Sequence, residues 1–148
     1  MEILIKEIKP ILVASIKEAG KKYEDFQQYF NIIYKDLTYY KIKESGNSIL
    51  IKHNNSNYFE ACVPIERKYI SDHPKIEIKI LPSVKKMAYF IHKGPLEKTA
   101  STHIDNFLKL LKENHIKYHY PHREIYISSK RENPNWFSFV TEFQFPLE

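Results

Sequence analysis

The sequence predicts an α+β fold in which two copies of a β-α-β-β unit form one eight-stranded, mainly antiparallel sheet with both helices on one face. The first supporting observation is a match between the two halves at an offset of 74, at which Ala14 aligns with Ala88. Gly20 aligns with Gly94 at the same offset. The second is a pair of apolar helical patterns that recur in the same register. One half alone would leave an open sheet edge and a thin core, so the copies are expected to fuse into one domain, 1–148.

The first copy is predicted to run in the order strand, strand, helix, strand, strand. Its strands are expected near 2–8, 11–17, 48–53 and 57–64. Its helix is indicated by apolar residues at spacings of four, three and four, namely Phe26, Phe30, Ile33 and Leu37. The segment 41–47 contains Gly46 and is predicted to be a turn.

The second copy repeats this order with small insertions. Its strands are expected near 75–81, 84–92, 122–128 and 136–145. Its helix is indicated at the same three spacings by Ala100, Ile104, Phe107 and Leu111. Near the end of each copy, 60–66 aligns with 142–148 at an offset of 82. These matches place repeat one at 1–66, a linker at 67–74 and repeat two at 75–148.

Composition narrows the classes of function. The 148 residues contain only three glycines and no nucleotide-binding glycine motif, which disfavours a phosphate-cradling loop. The single Cys62 excludes an internal disulfide framework, and no Cys/His spacing resembles a structural zinc site. We therefore expect no cofactor and no metal. The N-terminal residues lack a long apolar run, so neither a signal peptide nor a membrane span is expected, and a cytoplasmic protein is predicted.

The charge and aromatic content bear on possible partners. The formal net charge is +5, but the basic residues are scattered, as on a lysine-rich solvated surface. A nucleic-acid-binding face is therefore not expected. Tyrosine is unusually frequent, with 11 residues beside nine phenylalanines and one tryptophan. Because tyrosine combines an apolar ring with a hydroxyl, it suits both protein cores and ligand pockets.

Alternation in the last predicted strand separates two faces, since neighbouring side chains of a strand point in opposite directions. One face is expected to pack on the helices and contains Phe137, Phe139, Thr141, Phe143 and Phe145. The other face is expected to line a cleft and contains Trp136, Ser138, Val140, Glu142 and Gln144. Glu142 is the candidate site carboxylate because its neighbours on this face include Trp136 and Val140.

Further candidates for this cleft face come from three other strands. By alternation they are Tyr58, Glu60, Cys62, Tyr89, Glu124, Tyr126 and Ser128. Ile125 and Ile127 are then assigned to the helix-covered core. Structural roles stay open for the candidates: a solvated charge for Glu60 and Glu142, ordinary packing for the tyrosines, and a core cap for Trp136. The histidines at 115, 119 and 122 span a helix end and a loop, which disfavours a metal site.

Three motifs together resemble the gyrase-inhibitor-like (GyrI-like) family. They are A-Y-x-x-x-x-G-P from Ala88, R-E-I-Y from Arg123 and T-E-x-x-x-P from Thr141. Domains of this family also form the effector-binding part of AraC- and MerR-type multidrug-responsive regulators. The resemblance implies a duplicated, SHS2-type fold whose cleft binds bulky, often cationic aromatic compounds. It also implies that Glu142 is the counter-charge of that cleft and that Tyr126 lines it.

The resemblance leaves several functions open. The favoured one is a stand-alone small-molecule-binding protein that binds or sequesters aromatic, often cationic ligands. The alternatives are a hydrolase of cyclopropane-containing genotoxins, with Glu142 and Tyr126 as catalytic residues, and a gyrase inhibitor that acts by protein contact. Binding is favoured over catalysis because it needs less exact geometry. Since the matched domain starts at the first residue, a DNA-binding part is not expected, although gyrase or a regulator remains a possible protein partner.

Overall fold

The computed structural model describes residues 2–19, 23–53, 58–94, 100–127 and 140–148. The strands are β1 (Leu4–Ile8), β2 (Ile11–Ala19), β3 (Ile49–Lys52), β4 (Tyr58–Pro64), β5 (Glu77–Leu81), β6 (Val84–Lys93), β7 (His122–Tyr126) and β8 (Val140–Pro146). The helices are α1 (Tyr23–Tyr40) and α2 (Ser101–Glu113). Each lies where the sequence predicts an element, and the predicted α+β fold is confirmed. Residues 128 and 136–139 of two predicted strands lie outside the described residues.

The described strands form one antiparallel sheet of eight, in the order β1-β6-β8-β7-β3-β4-β2-β5. This order is symmetric about its centre. Each strand of the first copy lies as far from one end of the sheet as the equivalent strand of the second copy lies from the other end. The two copies meet at β3 and β7, where Leu50 pairs with Glu124. These two residues are also each other's counterparts at the offset of 74, so the internal twofold axis passes through this pair.

Both helices end in the same way. Lys41 and His115 adopt a left-handed backbone with φ of 58° just after α1 and α2. In each case the next residue donates its N–H to the carbonyl five positions earlier, from Ile42 to Leu37 at 2.9 Å and from Ile116 to Leu111 at 2.9 Å. This arrangement satisfies a carbonyl that the end of the helix leaves without a partner. None of the helices in the described part of the chain is long and apolar enough to cross a membrane.

The helices cover one face of the sheet, which we call the helix face. Phe30 of α1 meets the edge of Tyr126 on β7, with ring centroids 6.0 Å apart. Phe107 of α2 packs on Phe90 of β6 at 4.7 Å and on Phe145 of β8 at 5.6 Å. The buried core residues here include the predicted Phe26, Phe30, Ile33, Phe107 and Leu111, whereas Ile104 is half-buried.

The opposite, helix-free face is buried as well. Its core consists of Val13, Ile49, Ile51, Cys62 and Leu81, a cluster to which neither helix contributes a described residue. The β1–β2 and β5–β6 connections each join strands from opposite ends of the strand order, so the sheet curls into a half-barrel. Arg123 of the central β7 donates from Nη2 to the carbonyl oxygen of Pro82 between β5 and β6, at 3.2 Å. The sheet therefore closes around its helix-free face.

One face assignment made from the sequence is wrong. Glu124 and Tyr126 were expected on the cleft face and Ile125 in the helix-covered core. The structure shows the reverse, because Glu124 pairs with Phe143 of the helix-face core and Ile125 pairs with Glu142. Alternation shows which residues share a face, but isoleucine does not identify the face when both faces are buried.

Removing the Phe30 ring should test the packing of α1 on the sheet. We expect Phe30→Ala to lower the free energy of unfolding by about 3–5 kcal/mol, because it deletes a fully buried ring and leaves a cavity. Tyr39→Ala is the control on the same helix, since Tyr39 is 77% exposed and its loss should change stability by less than about 1 kcal/mol. Urea denaturation measures both, and equal effects would contradict the described orientation of α1.

Candidate functional site

A buried carboxylate lies at the centre of the helix face, on the twofold axis. Glu124 is only 2% exposed, and its neighbours across the sheet are Leu50 and Phe143, both core residues. The first copy has Leu50 at the position where the second copy has Glu124. A carboxylate held this far from water is stable as an ion only if other groups supply charge and hydrogen bonds.

Two side chains of the described residues contact the carboxylate of Glu124. The hydroxyl of Tyr126 donates to Oε1 at 3.2 Å, and Nζ of Lys52 lies 2.5 Å from Oε2. Tyr126 is fully buried, whereas the Lys52 side chain is 34% exposed. Both carboxylate oxygens therefore contact a donor, one from the core and one from a side chain that reaches in from the surface.

Aromatic rings pack against Tyr126 and Phe143, the neighbours of this carboxylate. Phe143 stacks on Phe90 at 5.1 Å, and Phe30 stacks on Tyr34 at 6.3 Å. The hydroxyls of Tyr34 and Ser48 form a close hydrogen bond beside Tyr126, whose own N–H donates to the carbonyl of Ser48 at 3.0 Å. We call this group the axis site, formed by Glu124, Tyr126, Lys52, Phe30 and Phe143.

His122 borders the axis site next to Lys52, its partner across the strands. Its ring stacks on Tyr120 at 4.0 Å and meets the edge of Phe145 at 4.4 Å. Burial, together with the charge of Lys52, lowers the pKa of His122 to about 4, so the ring is neutral at pH 7. In the described residues no group of three or more His, Cys, Asp or Glu side chains is placed to hold a metal ion.

Glu142 lies on the helix-free face, on the opposite side of the sheet from the axis site. It is 8% exposed, Nζ of Lys6 lies 2.8 Å from its Oε2, and Nε2 of Gln144 donates to the same oxygen at 2.6 Å. The Lys6 ammonium also lies 4.2 Å from the centre of the Tyr89 ring. Glu142 and Tyr89, which the sequence placed on one face, thus share the contacts of one lysine.

Glu60 is the counterpart of Glu142 in the first copy and carries an equivalent pair. Nζ of Lys79 contacts its Oε2 closely, and Nε2 of His53 lies 2.8 Å from its Oε1. Burial acts to raise the pKa of Glu60, but the hydrogen bonds from Lys79 and His53 outweigh it and lower that pKa below its usual value. Tyr58 is exposed at the end of β4, and Trp136 lies outside the described residues.

The sequence interpretation therefore collected Glu142, Tyr89 and Glu60 on one face, assigned Tyr126 to the wrong face, and did not predict the buried contact between Glu124 and Lys52. The signal that could have found Glu124 is the alignment of 48–52 with 122–126. At the offset of 74 it replaces Ile49 and Leu50 by Arg123 and Glu124, two charges at core positions. Arg123 is 4% exposed, its Nη1 has no hydrogen-bond partner among the described residues, and burial lowers its pKa.

Comparisons with known proteins agree with this architecture. A family model described as a GyrI-like small molecule binding domain matches residues 1–148. No curated protein matches the chain in sequence. The crystal structure of the EcmrR C-terminal domain superimposes with a TM-score of 0.85 at 18% identity, covering 99% of this chain and 97% of that one. EcmrR in its DNA complex gives a TM-score of 0.83 at 18% identity, and 99% of this chain covers only 57% of that longer chain.

Two more distant structures have the same fold. SAV2435 bound to tetraphenylphosphonium has a TM-score of 0.65 at 13% identity, with 100% of this chain and 94% of that chain covered. A hydrolase encoded by lin2189 from Listeria innocua has a TM-score of 0.65 at 9% identity, with 99% and 92% covered. At such identities the likeness establishes the fold alone, and the ligand of this chain depends on its own side chains.

The low pKa of His122 should make stability depend on pH. In the unfolded chain the imidazole takes up a proton near pH 6.5, whereas in the folded protein it does so only near pH 4. Its contribution is therefore complete above pH 6.5 and is lost as the pH falls towards 4, to a total of about 3 kcal/mol. We expect His122→Gln to reduce the dependence of the free energy of unfolding on pH between pH 6.5 and pH 4. His119→Gln, at a half-exposed ring, should leave the curve unchanged, and equal curves for both variants would contradict the assignment.

Proposed function

Because this chain belongs to the GyrI-like small-molecule-binding family, we propose that it binds bulky aromatic cations at the axis site, with Glu124 as the counter-charge. The observation that carries this proposal is the burial of Glu124. It is a carboxylate that is 2% exposed, lies between two copies of the fold, and occupies a position where the first copy has Leu50. A carboxylate in place of a core leucine costs stability, and binding a cation is a use that accounts for its presence there.

The chemistry of the axis site favours delocalised cations. A buried carboxylate attracts a positive charge, and a cation that is spread over aromatic rings loses little hydration when it leaves water. Rings such as Phe30 and Phe143 can add cation–π attraction of roughly 0.5–2 kcal/mol each. Neither interaction requires one particular ligand shape, so ligands of several shapes are expected to bind. The phosphonium ligand of SAV2435, which shares this fold, is of the same chemical class.

Glu142 is the second candidate for the counter-charge, as the sequence predicted. Tyr89 provides an aromatic face beside it, and the ammonium of Lys6 already lies between the two groups. The axis site is favoured because Glu124 is buried more deeply than Glu142 and its neighbours Tyr126 and Phe143 belong to the core of the helix face. The two glutamates lie on opposite faces of one sheet and each pairs with a lysine, so they form a matched pair for mutagenesis.

We expect Glu124→Gln to weaken the binding of tetraphenylphosphonium by about tenfold or more, because it removes a desolvated counter-charge while keeping the shape of the side chain. Neutral triphenylphosphine oxide should lose much less affinity. Isothermal titration calorimetry on the wild-type chain and the variant measures both ligands.

Glu142→Gln is the matched control and should leave both affinities unchanged. A loss confined to Glu142→Gln would move the counter-charge to the helix-free face. Equal losses for cation and neutral compound in Glu124→Gln would show that Glu124 acts in packing, and no binding by the wild-type chain would refute the proposal.

Hydrolysis is a second candidate function, favoured by the contact between Tyr126 and Glu124. The pair expected from the sequence, Glu142 with Tyr126, lies on opposite faces of the sheet and cannot act on one reacting group. The hydroxyl of Tyr126 lies 3.2 Å from Oε1 of Glu124, so a phenol and a carboxylate lie side by side. Opening a strained ring requires a proton for the leaving atom and a positioned water. The phenol can donate the proton, and the carboxylate can orient the water.

The test is incubation with a cyclopropane-bearing alkylating agent, followed by mass spectrometry of the ring-opened product. If the chain is a hydrolase, wild type and Glu142→Gln should form the product, whereas Glu124→Gln and Tyr126→Phe should form at least tenfold less. No product above the protein-free rate, or equal product from all four proteins, would exclude hydrolysis at the axis site.

A further inference from the structure

Lys52 enters the axis site from the surface. It is the last residue of β3 and lies between His122 of β7 and Phe59 of β4. Its ammonium touches the buried Glu124, while a third of its side chain is still exposed to solvent. A lysine can adopt this position because its long apolar stem packs along the protein while its charged end reaches a partner.

Each carboxylate oxygen of Glu124 already contacts a donor of the protein. The phenol of Tyr126 lies against Oε1, and the ammonium of Lys52 lies against Oε2. A ligand cation that approached Oε2 with Lys52 still in place would meet a like charge in a site largely closed to water, where repulsion is strong. Tyr126 is neutral and held in the core, so Lys52 is the group that must move.

His122 does not share the role of Lys52 at neutral pH while Lys52 is in place. It is the cross-strand partner of Lys52, and its ring is uncharged because burial keeps its pKa near 4. When the ammonium leaves, a ligand cation can take its place beside Glu124. Lys52 itself can return to water at little cost, since part of its side chain is already there.

We propose that Lys52 is the resident cation of the axis site, and that a ligand binds by displacing its ammonium into solvent. This inference rests on the proposed function and adds a basis for selectivity. A tethered ammonium competes at an effective concentration in the millimolar range. Small, strongly hydrated ammonium ions offer Glu124 nothing that Lys52 does not, whereas large aromatic cations add ring contacts with Phe30 and Phe143. Lys52 thus excludes the small cations and admits the aromatic ones.

The first experiment removes the competitor from the full chain. Lys52→Met keeps the apolar stem and should tighten tetraphenylphosphonium binding by about tenfold, because the ligand no longer displaces an internal cation. Benzyltrimethylammonium should become a measurable ligand, while triphenylphosphine oxide should bind as before. Lys52→Arg retains a cation and should behave as wild type. Lys6→Met, the matched lysine on the helix-free face, should leave all three affinities unchanged.

A second measurement uses the wild-type protein and does not depend on the folding of a variant. The rate at which an amine-reactive ester labels Lys52, followed by mass spectrometry, should rise severalfold when tetraphenylphosphonium saturates the protein. Labelling of Lys6 should stay constant. A rate at Lys52 that is unchanged or lower with ligand bound would overturn the displacement.

The outcomes also separate this inference from the proposed function. If Glu124→Gln loses the cation but Lys52→Met binds it as wild type does, the axis site stands and the role of Lys52 is refuted. If Glu124→Gln binds the cation normally, the axis site is refuted and the displacement with it. Tighter binding in Lys52→Met, together with ligand-induced labelling of Lys52, supports both.

Discussion

The centre of the sheet is buried on both faces, because the helices cover one face and the curl of the sheet encloses the other. A carboxylate in such a place cannot rely on water and needs a cation from the chain itself. The described residues meet this need three times, each time with a lysine that keeps contact with solvent. The pairs are Glu60 with Lys79, Glu124 with Lys52, and Glu142 with Lys6.

The duplication explains why one of these pairs differs from the others. The pairs at Glu60 and Glu142 occupy equivalent positions in the two copies, so each repeats the other. Glu124 lies on the axis, and its counterpart is its own cross-strand neighbour, Leu50. A position on the axis occurs once in the duplicated fold, and Glu124 there contacts Lys52 of the first copy and Tyr126 of the second. The axis is therefore where a duplicated fold can form a single central site.

The same central strand places opposite charges on the two faces. Arg123 and Glu124 are adjacent in sequence, so alternation sends Arg123 to the helix-free face and Glu124 to the helix face. In the first copy the two equivalent positions are the aliphatic residues Ile49 and Leu50, so the two charges belong to the second copy. Arg123 ties the centre of the sheet to Pro82 and so helps to close the half-barrel, while Glu124 provides the charge of the axis site.

The sequence by itself determined the repeat, the order of the elements, and most of the buried helix positions, such as Phe30 and Phe107. It could do so because periodicity is a local property and because duplication presents each pattern twice. Only the tertiary structure decided which face of β7 the helices cover. As a result, Tyr126 lies on the same face as Glu124 and on the opposite face from Glu142. It also brought Lys52 to Glu124 across 72 positions of sequence. Alternation shows which side chains share a face, but where both faces are buried, the covered face is decided by pairing with distant strands.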